Sequence, residues 1–220
     1  MPDGFVELID TSNAFFADLA QNNTRSWFEP RKAQYIAEIR KPAELLGEIL
    51  AEDIAHLTGK PHDPKLFRIY RDVRFSKDKT PYNAHLHLMW SRGAATAPVW
   101  FFGSAPDYLT VGMGLVGLQG PALARFRTFI DSRGDTLKAA MGGAAQSAGA
   151  AISDWGPAPL KNVPKPYDPD HPHADLLKRK ALAISAPLAA GWRETGVVPA
   201  VQSTLKALFP VWRLIDAEFS

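Results

Sequence analysis

No cysteine occurs in the 220 residues, which excludes disulfides, thiolate metal sites and cysteine nucleophiles. Excess positive charge is missing too: 25 lysines and arginines stand against 23 aspartates and glutamates, a formal net charge of +2. A general polyanion binder carries more, so any basic function here is local. No uncharged apolar run approaches the length that spans a bilayer. Met1-Pro2-Asp3-Gly4 lacks the basic and apolar regions of a secretory leader. The expectation is a cytoplasmic protein with no membrane partner. Catalytic signatures are absent as well. Val111-Gly112-Met113-Gly114 has paired glycines, but the helix that would complete a phosphate loop does not follow. No cofactor is expected. What remains is an ordinary folding composition, 46% hydrophobic and 22% charged, in a chain long enough for a sizeable core.

The N-terminal third reads as helical. Thr11 or Ser12 caps a first helix to about Ala20, with Phe15, Phe16 and Leu19 inward, and Gln21-Asn22-Asn23 ends it. Thr24 caps a second, with Trp27, Phe28, Tyr35, Ile36 and Ile39 inward and Pro30 near its first turn. Pro42 marks a break or kink, after which Leu45, Leu46, Ile49 and Leu50 resume helical spacing. Further on, Pro121 opens a helix with Leu123, Phe126, Phe129 and Ile130 inward. Residues 134–151 read as a weak helix or a mobile surface segment, and prolines between 157 and 172 make an extended strap. A short helix is expected over 172–180, and a last one over 199–218 with a kink near Pro210.

Between these blocks the period changes to two, predicting strands near 66–75, 84–91, 98–103 and 107–116. Leu86, Leu88 and Trp90 alternate with His85, His87 and Met89. Val99 to Phe102 is apolar throughout, as a central strand requires. Gly103 to Asp107 reads as a hairpin loop. The last strand shows Tyr108, Thr110, Gly112 and Gly114 on one face, small enough for a ligand or a second backbone to approach. Short connections imply an antiparallel meander. The fold class expected over 1–220 is a single α+β domain: an antiparallel sheet of four or more strands packed by N- and C-terminal helices.

One stretch concentrates the chemistry. Lys65 to Tyr82 holds six cations, Lys65, Arg68, Arg71, Arg74, Lys77 and Lys79, against Asp72 and Asp78. As a strand it turns Phe67, Ile69, Val73 and Phe75 to the core with Arg71 among them. Arg68, Tyr70, Asp72, Arg74 and Ser76 then share the other face. The guanidinium fork suits phosphate and carboxylate, so Arg68, Tyr70, Arg71, Arg74, Lys77 and Lys79 are the candidate ligand-binding residues. The competing reading is that Asp72 and Asp78 pair with these cations and staple the sheet to the helices. Arg71 on an apolar face favours pairing, since a buried arginine demands a carboxylate.

The combination of Asn22-Asn23 with Trp27-Phe28, then Arg71-Asp72-Val73-Arg74-Phe75-Ser76-Lys77-Asp78-Lys79-Thr80-Pro81-Tyr82, then His171-Pro172 with Leu176-Leu177 and Lys180, resembles the DUF2461 family of conserved hypothetical proteins. The resemblance covers roughly residues 10–215. It implies no activity, because the family has none assigned.

Candidate catalytic groups are therefore chosen on residue chemistry alone: Asp72, His87 and His171 for acid–base work. His85 and His87 have the spacing of two metal ligands, but neighbouring arginines repel a cation. The carboxylates and imidazoles of 168–175 suit a helix N-terminus as well as a metal, and no metal site is expected. Two functions fit the basic stretch. One is a pocket for a small anionic ligand bearing phosphate or carboxylate, with or without turnover. The alternative is a non-enzymatic nucleic-acid or protein interaction module on the Arg71–Lys79 face. Nothing in the sequence sets an oligomeric state.

Overall fold

Apolar side chains at helical spacing begin at Leu8 and Ile9, and the first helix begins ahead of them. In the computed structural model, which describes residues 3–93 and 96–220, α1 covers Phe5–Gln21. The predicted cap at Thr11 or Ser12 is wrong. Ser12 is buried inside the helix and donates to the Ile9 carbonyl, and the start is held instead by Asp3, whose carboxylate accepts from the Phe5 N–H. Thr24 does cap α2 (Arg25–Phe28), accepting from the Trp27 N–H.

A 3₁₀ turn and α3 (Lys32–Gln34) follow, then six π-helical residues, Tyr35–Arg40, leading into α4 (Lys41–Thr58). The break expected at Pro42 is this π-helical turn. Proline brings no N–H to the carbonyl four residues back, and the wider winding accommodates the mismatch.

The sheet is antiparallel and six-stranded, in the order β1 (Asp63–Leu66), β2 (Leu86–Ser91), β3 (Val99–Ala105), β4 (Tyr108–Leu115), β6 (Leu182–Pro187), β5 (Ala151–Ile152). The meander β1 to β4 follows the predicted period. Leu86, Leu88 and Trp90 are buried on one face, and His87 and Met89 lie on the other. The hairpin loop is shorter than predicted: Ala105 pairs with Tyr108, so the turn is Pro106-Asp107 alone.

Four helices lie on the Trp90 face. Helices α1 and α4 contact β3 and β1. The long helix α5 (Gly120–Ala148) meets β6, and α8 (Val197–Phe219) meets β4. Trp90 Nε1 donates to the Gly47 carbonyl of α4 at 2.8 Å, joining the layers. Asp3 accepts from the Val197 and Val198 N–H groups at 3.1 and 2.8 Å, so one carboxylate caps both terminal helices. The result is an α+β domain. Among the described residues no helix is long and apolar enough to cross a membrane.

Four further expectations are corrected. Residues 134–148 are neither weak nor detached, because Leu137 and Ala144 are buried and the helix runs on from Gly120 with only Arg133 off helical geometry. The short helix is α6 (Ala174–Leu177), not 172–180. Helix α8 spans Pro210 as one assigned helix, after the short α7 (Trp192–Thr195).

The last correction is the largest. The strand predicted over 66–75 ends at Leu66. Beyond it the chain leaves the sheet edge and returns through a single bridge, Tyr70 with Tyr82. Asn23 holds the returning limb: its side-chain amide donates to the Tyr82 carbonyl at 2.9 Å and accepts from the Tyr82 N–H at 3.1 Å. Tyr70 and Tyr82 pack against Phe28. Ile69 is buried as the period predicted, but Phe75 is 96% exposed at the loop tip.

Candidate functional site

The face of the sheet away from the helices carries a cavity of about 370 Å³. Its floor is a cross-strand row, His87 on β2, Gly103 on β3 and Thr110 on β4. Phe67, Phe101 and Trp155 are its aromatic walls, and Ser153 and Ser185 add hydroxyls. The prolines after Trp155 fit the extended strap expected there, and Trp155 closes on Phe101 with ring centroids 5.1 Å apart.

Two glycines shape this floor. Gly112 leaves room for the Phe101 ring, since a Cβ there would lie 2.2 Å from it. The small face of β4 therefore admits a neighbouring side chain, as a cross-strand aromatic over glycine does. At Gly103 a Cβ would sit 3.1 Å from the Tyr108 ring and 3.2 Å from the His87 ring. Its absence lets those two side chains meet over β3, with His87 Nε2 and the Tyr108 hydroxyl 2.6 Å apart.

Burial pushes the His87 imidazole down to about 4, helped by the neighbouring His85 ring stacked on it at 3.9 Å. Burial, with Asp107 second, pushes the Tyr108 phenol up. Both groups are therefore neutral: the phenol keeps its proton, the imidazole carries one, and a hydrogen bond joins Nε2 to the hydroxyl. His85, stacked on His87, is likewise lowered, first by burial and then by the Arg71 guanidinium.

That stretch is braced on itself. Arg71 Nη1 bonds the Asp78 carboxylate, the Thr80 hydroxyl and the Thr80 carbonyl. Asp78 is held down to about 2, first by the Thr80 N–H and then by Arg71. Arg74 grips Asp72 bidentately at 2.9 and 2.7 Å, and Lys79 donates to the Val73 carbonyl at 3.0 Å. Arg71, Asp72, Arg74 and Lys79 thus spend their charges or donors inside the loop. Arg68 and Lys77 have no such partner among the described residues, and Tyr70 is half-exposed. The pairing reading holds for those four residues, and the loop leaves Arg68, Tyr70 and Lys77 outside it.

His171 is brought to neither place. Its Nδ1 accepts from the His173 N–H at 3.0 Å, so Nε2–H donates to Asp131 on α5 at 3.1 Å. With both nitrogens engaged it serves to dock the 168–173 loop. His173 docks beside it on Asp135, its ring filling the space left by Gly134.

Residues 11–213 match the model of a family described as conserved hypothetical protein DUF2461. The chain belongs to the DUF2461 family. No curated protein matches it. In this DUF2461 protein the first two segments that carried the resemblance are joined in space: Asn23 clamps Tyr82, and Phe28 stacks on it. Sequence reasoning had Tyr108 and Thr110 on the right face but did not name them as site residues. Ser153, Trp155 and Ser185 come from segments whose pairing no local pattern revealed.

Proposed function

We propose that the open-face cavity binds a small, flat organic ligand carrying a carboxylate or a similar anionic acceptor group. The observation that carries this is the His87–Tyr108 pair, a half-buried hydrogen-bonded couple opening into an aromatic-walled pocket of ligand size. The hydroxyls of Thr110, Ser153 and Ser185 supply donors beside that pair.

Turnover is the weaker half of this reading. A histidine titrating near 4 is a poor base at neutral pH. An anionic ligand would raise it toward neutrality, so binding should take up a proton and tighten as pH falls from 8 to 6.

Benzoate, 4-hydroxybenzoate and indole are suitable probes, followed by NMR at the His87 imidazole and the Trp155 indole. Saturable shifts at both are expected. His87→Ala and Gly103→Val should each weaken benzoate at least about tenfold, the worth of one charge-assisted contact. Binding that leaves both resonances unmoved, or that survives both substitutions, would sink the reading.

A second reading rests on Phe75. An exposed ring with Arg74 5.9 Å over it, on a loop with free Lys77, suits stacking on a single-stranded base. A short oligothymidylate should then bind with strong salt dependence and lose that binding in Phe75→Ala. Arg74→Ala should leave the melting temperature unmoved, because its pair with Asp72 lies on the surface. Salt-insensitive or absent binding removes this alternative.

A further inference from the structure

A second cavity, of about 180 Å³, lies where α3, the π-helical turn and the strap after β1 meet. Lys32, Arg40 and Arg68 border it. Arg40 is paired with Glu44 at 2.9 Å, whereas Lys32 and Arg68 hold no ion pair among the described residues. Three cations against that one carboxylate leave a net charge of +2 around the cleft.

The decisive group is Tyr35, at the head of the π-helical turn. Its ring is packed away, the residue being only 6% exposed, while its hydroxyl is not a sealed-off polar atom and reaches the cleft it lines. This hydroxyl is within Coulombic reach of Arg40, Glu44 and Tyr70, all of which line the same cleft. It therefore faces the cavity, and π-helical turns recur at functional sites.

We propose that this cleft binds a dianionic tetrahedral oxyanion, inorganic phosphate or the phosphate of an ester, with Lys32, Arg40 and Arg68 as charge partners and Tyr35 as a neutral donor. The net charge matches a dianion, and the donors approach from two helical segments and a strap, as a tetrahedral group requires. Arg68 and Tyr70, chosen from sequence for an anion, belong to this site and not to the His87 cavity. Phe67 walls both cavities, so the two are adjacent but separable.

Calorimetric titration of inorganic phosphate at low ionic strength, with chloride at matched ionic strength as control, tests the proposal. Saturable one-site binding of phosphate and none of chloride is expected. Arg68→Ala and Lys32→Ala should each weaken it about tenfold, and Tyr35→Phe about three-fold with an unchanged melting temperature. His87→Ala should bind phosphate as the parent does while losing benzoate, which separates this site from the open-face pocket. The proposal is overturned by a chloride response equal to that of phosphate, by undiminished binding in the Arg68→Ala/Lys32→Ala double variant, or by loss of phosphate binding in His87→Ala. Titrating methyl phosphate alongside distinguishes the sources: tighter binding than inorganic phosphate assigns the site to an ester, weaker binding to the free ion.

Discussion

Asp216→Asn should lower the melting temperature by roughly 10 °C, a loss of about 3–5 kcal/mol, the usual cost of leaving a buried charge without its partner. Asp216 lies near the end of α8 with its side chain 9% exposed. It accepts from Lys60 Nζ at 2.8 Å and pairs with Arg92, while Ser220 donates to it as well. Arg92 follows β2, and Lys60 precedes β1, so one carboxylate ties the C-terminal helix to the first hairpin. Lys60 can swing into solvent when the carboxylate is lost, but Arg92 cannot, being 14% exposed and laid over the Trp212 ring at 5.6 Å.

The comparison that isolates charge from packing is the double variant Arg92→Met/Asp216→Leu. Removing both partners removes the desolvation problem, so it should recover most of the lost stability. A single variant that melts within about 2 °C of the parent would show that the cluster ties nothing down. One for which the double variant is worse still would show that packing, not charge, is the cause.

This cluster also shows what the sequence held and what it did not. Helices α1, α4 and α8 were legible because a buried stripe repeats every three or four residues, and β2 to β4 because their burial alternates. Both are local signals. The partnership of Asp216 with Lys60 and Arg92 spans more than a hundred residues and leaves no local trace. The same is true of Asn23 and Tyr82, 59 residues apart. Period-two alternation predicted a strand through Phe75, and burial does alternate as far as Ile69 and Tyr70. The backbone nevertheless leaves the sheet after Leu66, and Asn23 holds its return at Tyr82 with one hydrogen bond donated and one accepted. Strand β6 was missed for a different reason: Leu-Ala-Ile-Ser-Ala-Pro mixes alanine and proline, with little intrinsic β preference, and it becomes a strand by lying between β4 and β5.

The candidate site was legible by residue type and not by place. His87 and the Tyr108 face followed from strand alternation, yet their meeting depends on the missing Cβ of Gly103. Arg68 and Arg74 were grouped by sitting on one face of a strand that does not exist. The loop separates them, sending Arg74 to Asp72 and leaving Arg68 at the cleft beside Tyr35. Lys32 and Arg40 had no mark in the sequence, and only the tertiary fold brings them to one cleft with Arg68.

Stability should fall as pH drops from about 6.5 to about 4, by on the order of 3 kcal/mol from His87 alone. In the unfolded chain this imidazole takes a proton near 6.5, whereas burial in the folded protein delays that to about 4. Above 6.5 neither state is protonated and the full stability is present. Between the two values the unfolded chain binds the extra proton, so each unit of acidification favours unfolding. Below 4 both states are protonated and the effect is complete. His85 and His62 are lowered by burial as well and act in the same direction. The carboxylates held low, Asp78 above all, lose their contribution only at more acid pH, below their ordinary range, so the two effects separate along the pH axis. Urea unfolding at pH 8, 6.5, 5.5 and 4.5 measures the slope. In His87→Gln, which keeps an acceptor near Tyr108 but does not titrate, the slope between 6.5 and 4.5 should flatten markedly. An unchanged slope would mean that His87 titrates in the folded state as it does in water, and the half-buried pair at the floor of the pocket would no longer stand.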